Sequence, residues 1–127
     1  MLLTLCRYLA LTYAIGLAIG EAILNSSRGQ WQYAPMWIID YIIVAYLFAG
    51  FWMTRRGRCI PILMSAYALS AGVVYMAFFL HFDPELPEAL RGDTIVVALI
   101  GLVLVVSVVG LIGTTVAWWQ QGRNHRT

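Results

Sequence analysis

Apolar residues in this chain do not alternate with polar ones. They run in four long blocks separated by short polar stretches. The blocks extend from about Leu2 to Leu24, Pro35 to Met53, Ile60 to Phe82 and Thr94 to Trp119. A bilayer core about 30 Å thick is crossed by roughly 20 apolar helical residues, so each block is long enough to span it. Membrane β-strands would be about 10 residues long and alternate in polarity, which these blocks do not. The stretch from Val96 to Val106 is rich in β-branched residues. In lipid its backbone must still pair internally, so it too is expected to be helix.

The connections carry the residues that end helices. Asn25-Ser26-Ser27-Arg28-Gly29-Gln30 follows the first block, Thr54-Arg55-Arg56-Gly57-Arg58 the second, and His81-Phe82-Asp83-Pro84-Glu85-Leu86-Pro87 the third. Pro35 and Pro61 fall where a first helical turn begins, a position that has no intrahelical N–H partner to lose. The expected architecture is therefore all-α: a polytopic integral membrane protein made of one transmembrane domain over residues 1–127, a bundle of four transmembrane helices.

Composition agrees. Of the 127 residues, 61% are hydrophobic and 11% charged, against about 25% charged in soluble domains. Disorder is excluded, because so much apolar surface would not stay exposed. The formal charge of +2 comes from eight basic residues, all arginine, placed at block ends rather than along one face. That pattern gives no nucleic-acid signal. Positive residues favour the cytoplasmic side. With the N-terminus inside, Arg7, Arg55, Arg56, Arg58, Arg123 and Arg126 are cytoplasmic, and only Arg28 and Arg91 are outside. Both termini are therefore expected in the cytoplasm, with Arg55, Arg56 and Arg58 setting topology and touching lipid headgroups. Trp31, Tyr33, Trp37 and Tyr41 would mark the outer interface, and Trp52, Trp118 and Trp119 the inner one. The first block lacks the basic leader of a signal peptide and is expected to be retained. Cys6 and Cys59 then face a reducing compartment as free thiols.

Lipid gives helices no hydrophobic drive to pair, so small residues that allow close approach indicate contact faces. Gly16 and Gly20 lie four apart in the first block, beside a row of Ala10, Ala14, Ala18 and Ala22. Gly72 follows Ala68 in the third, and Ser107, Gly110, Gly113 and Ala117 recur in the fourth. These stripes are expected to pack the bundle internally or, alternatively, to dock another subunit. The fourth block carries no charge to hide and is the expected lipid-facing or partner-facing helix. Tyr8, Tyr13, Tyr46, Tyr67 and Tyr75 lie within blocks and are expected to bond between helices or reach an interface.

Ionisable residues at membrane depth are rare and point to function. Glu21 lies about three residues before the first block ends, and Asp40 about five after the second begins. At 1.5 Å per residue both sit roughly 5–8 Å below the outer boundary, on antiparallel neighbours. The two carboxylates are expected at one depth, with His81 reaching the same side from the third helix. Two carboxylates in a half-dry site repel, so one is expected to hold a proton near neutral pH. Such a pair binds a cation or relays a proton, and the outer aromatic residues add faces for a ligand cation. A structural alternative pairs Glu21 with Arg28 and places Asp40 in the early turns of its helix, where the dipole favours negative charge.

No catalytic residues are assigned, since no nucleophile stands beside a base. No metal or cofactor is expected: metal-ligand spacing is absent, and no histidine lies mid-membrane for haem. The leading expectation is a non-catalytic accessory or assembly subunit of a larger complex, in a bacterial inner membrane, contacting lipids and either a protein partner or a second copy. The alternative is a proton- or cation-coupled small-molecule transporter using Glu21 and Asp40.

Overall fold

The computed structural model describes residues 1–28, 34–85 and 93–124. Four helices follow the four blocks: α1 (Leu2–Arg28), α2 (Ala34–Met53), α3 (Ile60–Leu80) and α4 (Thr94–Asn124), with a 3-10 turn at Thr54–Arg56 between α2 and α3. All four are long and apolar enough to cross a membrane, and the described residues contain no strand. The chain is an all-helical integral membrane protein. Helices α1 and α4 continue past their apolar blocks into polar residues, because hydrogen bonding does not stop where hydrophobicity does. Helix α3 stops earlier, at Leu80, where His81 and Phe82 close it with tighter bonds to the Phe78 and Phe79 carbonyls.

Each helix packs on its neighbours in sequence, and α4 closes the ring against α1, while α1 and α3 lie across the diagonal, their backbones farther apart but bridged by side-chain hydrogen bonds. The interior is built largely from small side chains. Ala10, Ala14, Ile43, Leu47, Leu63, Ala66 and Tyr67 are fully buried. The expected alanine row starts in this core at Ala10 and Ala14 and rotates outward, so that Ala18 is half-buried and Ala22 exposed. A step of four residues overshoots the helical repeat of 3.6, which turns such a row around the helix.

Two glycines of α4 are set by close neighbours. A Cβ at Gly110 would overlap the Tyr67 ring, and one at Gly113 would lie 2.7 Å from Cys6 Sγ. Gly110 is the socket for the largest buried side chain, and Gly113 lets α4 approach α1. Nothing lies within 4 Å of a Cβ placed at Gly16, Gly20 or Gly72, so these three glycines contact no other helix of this chain at their α-carbons. Gly50 brings α2 close to α3, with Leu63 Cα 3.1 Å from where its Cβ would be.

Polar side chains inside the bundle bond to one another. The Tyr13 hydroxyl of α1, Ser70 of α3 and Ser107 of α4 form a three-way cluster. Ser107 Oγ lies 3.0 Å from the Tyr13 hydroxyl and 3.1 Å from Ser70 Oγ, and Tyr13 and Ser70 close the triangle. Tyr67 donates to the Cys6 carbonyl at 2.8 Å, and Tyr46 meets Ser65 at 2.7 Å. Tyr8 and Tyr75 are exposed. Among the described residues no buried side-chain polar atom lacks a partner, as a bilayer interior requires.

Candidate functional site

The two ends of the bundle differ in charge. The α2–α3 turn brings Arg55, Arg56 and Arg58 to one end, which the start of α1 and the end of α4 share. There Arg7 Nε donates to the Phe51 carbonyl at 3.2 Å and its guanidinium lies 5.0 Å from the Phe51 ring. Arg55 lies over Trp52 and Arg123 over Trp119, at 4.9 and 4.0 Å. Arginine on an indole face, with the stem in hydrocarbon and the charge toward water, suits a membrane boundary. The turn is tied down by Gln121, whose Nε2 donates to the Gly57 carbonyl at 2.9 Å. Gly57 has a positive φ of 68°, a conformation that glycine takes without strain. Cys59 adopts one of 58° and is exposed; Cys6 is buried, and both are free thiols.

Among the described residues the acidic side chains gather at the other end. Glu21 continues the inward stripe of α1 that contains Cys6, Ala10, Tyr13, Ala14 and Leu17. Asp40 continues the inward stripe of α2 that contains Ile43, Val44, Leu47 and Gly50. The helices are antiparallel, so both side chains arrive at one level. The Glu21 and Asp40 carboxyl groups come within hydrogen-bonding range of each other. Asp40 is also near enough to Tyr13 for its charge to act on that hydroxyl.

His81 sits at this end too, but its Nδ1 pairs with the Ala77 carbonyl of its own helix at 2.7 Å. Among the described residues no three His, Cys, Asp or Glu side chains are grouped to hold a metal, so His81 does not complete a ligand set with the two carboxyls. Trp37 packs edge-on against Tyr41 at 6.1 Å. Trp31 and Tyr33 lie outside the described residues, as do Arg91 and the tail with His125.

Beside Asp40 the bundle is open. Helices α2 and α3 approach closely at Gly50 and Leu63, toward the arginine end. They leave a cleft of about 620 Å³ lined by Ile39 and Asp40 of α2 and by α3 residues from Ala68 to Leu80. Gly72 lies in its wall. The sequence singled out Asp40 and Gly72 separately. It gave no sign that they share a cleft, because that depends on how two helices are placed against each other. Nor did it single out Ser70 and Gly50; Ser70 falls in an apolar block one α3 turn after the buried Ala66, which is the signal that was there.

Fold and site together define a four-helix integral membrane protein with a carboxyl pair in its membrane-spanning part. No protein family, no curated protein and no solved structure matches this chain.

Proposed function

We propose that this chain binds a proton or a small cation at the Glu21–Asp40 pair, near the outer face of a bacterial inner membrane, and that the pair is the coupling site of a small-molecule transporter. One observation carries the reading: two carboxyl groups from different helices meet within the membrane-spanning part. Carboxyls at that range hold a proton or a cation between them, since two bare negative charges in a medium of low polarity repel strongly. Residues of this kind inside membranes belong to proton relays and ion paths.

The test is infrared difference spectroscopy on the reconstituted protein, with sodium added against a sodium-free reference. The wild type should lose the stretch of a protonated carboxyl as sodium replaces the proton. Glu21→Gln and Asp40→Asn should each abolish that change, together with cation-driven proton release in liposomes. Identical spectra and release in wild type and both variants would refute the reading.

A second reading is an accessory or assembly subunit of a larger membrane complex. It is favoured by α4, of which a smaller share is buried than of any other helix. Leu99, Leu102, Val105, Val109 and Ile112 form its exposed outer face. Native electrophoresis in mild detergent followed by mass spectrometry separates the two. Other polypeptides in the band support the subunit reading, and this chain alone supports the first. Leucine at Gly110 or Gly113 would not report on a partner, because both glycines face into this chain's own bundle.

A further inference from the structure

The α2–α3 cleft has the polarity of an amphiphile. Its volume of about 620 Å³ falls within the roughly 300–1,000 Å³ of small-molecule sites. Among the described residues its walls are apolar except at Asp40, the one ionisable residue of these that lines it. Asp40 is near the start of α2 and therefore at the same end as Leu80, the last residue of α3. From there the cleft runs along α3 to Ala68, twelve positions earlier, which is roughly 18 Å at the helical rise. Gly50 of α2 packs on Leu63 of α3, so ten residues along the antiparallel pair Asp40 lies about level with Val73, and from the carboxyl the apolar groove continues past Gly72 to Ala68, toward the middle of the bilayer. Gly72 keeps the wall open, since a side chain there would meet nothing within 4 Å. Met76, 72% exposed at the rim, is a flexible edge that adapts to an apolar guest.

We propose that this cleft binds an amphipathic amine taken from the adjoining leaflet, its ammonium head at Asp40 and its alkyl chain along the groove past Gly72. The sign of the charge selects a cation. The direction of the groove selects a molecule that already lies in the leaflet with its head at that depth. An apolar chain alone would leave the carboxyl facing hydrocarbon, and a small ammonium ion alone would leave the groove unfilled. The inference rests on the cation-binding reading of the Glu21–Asp40 pair and adds the class of organic ligand.

The experiment is equilibrium binding of labelled dodecyltrimethylammonium to the full chain in zwitterionic-lipid nanodiscs, with empty nanodiscs subtracted. Saturable binding is expected, which neither tetramethylammonium nor dodecanol should displace efficiently. Asp40→Asn removes the charge partner and Gly72→Leu fills the groove, and each should weaken binding by about tenfold or more. Met76→Trp, which narrows the rim from an exposed position, is the second groove variant should Gly72→Leu fail to fold. The sodium-dependent infrared signal should survive in the groove variants. Dodecyltrimethylammonium binding unchanged in both groove variants, or equal displacement by dodecanol, overturns the amine site. A wild type with the sodium signal but no saturable amine binding also overturns it while leaving the carboxyl-pair reading intact. Loss of both signals in the wild type removes both.

Discussion

Single residues set how closely these helices approach, and their effects should fall into a definite order. Gly110 faces the Tyr67 ring with no room for even a methyl group. Overpacking of a filled core costs about 1–3 kcal/mol, so Gly110→Ala should lose about that much stability. Tyr13→Phe removes one member of the hydroxyl cluster but keeps the ring. Polar contacts between membrane helices contribute about 0.6 kcal/mol on average, so its loss should be smaller. Gly16→Ala meets nothing within 4 Å. It should be neutral or stabilising by about 0.5–1 kcal/mol, the helical advantage of alanine over glycine. Unfolding in mixed micelles with increasing denaturing detergent gives all three midpoints. A Gly16→Ala loss as large as that of Gly110→Ala would mean that α1 is packed against a second copy through its outer face.

At the level of elements, the α2–α3 turn is the piece whose local chemistry is most exacting. Its 3-10 segment ends in Gly57 at φ 68°, with the Gly57 N–H bonded to the Thr54 carbonyl at 3.0 Å. A left-handed residue with a Cβ costs about 1–2 kcal/mol, so Gly57→Ala should lower the same unfolding midpoint by about that energy. Wild-type stability in Gly57→Ala would show that the turn relaxes to another shape. The turn was readable from Thr54-Arg55-Arg56-Gly57-Arg58, and so were the helices, because lipid admits almost no other backbone. A common depth for Glu21 and Asp40 was expected from two positions and one short connection, but whether the two side chains meet was not readable, because that depends on how each helix is rotated. Nor was it readable which glycines face inward. A helix that is apolar all round has no polar face to orient it, so Gly16 and Gly110 look alike in sequence although one faces out and the other holds Tyr67. The cleft was hidden for a related reason: it depends on how α2 and α3 are placed against each other, which no local pattern records.

For the molecule as a whole, the separation of charge fixes what the site can sample. Arg7, Arg55, Arg56, Arg58 and Arg123 share one end, and Glu21, Asp40, Asp83 and Glu85 the other. Four spans place both termini on one side, and the bias of positive charge toward the cytoplasm predicts that the arginine end lies there. The carboxyl pair and the cleft are then expected to face the outer leaflet. The native thiols provide the test. Cys59 is exposed in the arginine-end turn, while Cys6 is 3% exposed inside the bundle and should resist labelling throughout. A membrane-impermeant maleimide should label Cys59 in inverted vesicles and leave it unlabelled in right-side-out ones. Glu85→Cys, exposed at the acidic end, should label in the opposite pattern when placed in a Cys59→Ser background. The reverse pattern at both positions would turn the molecule over. The carboxyl pair would then draw its proton or cation from the cytoplasm, and any amine would have to come from the inner leaflet.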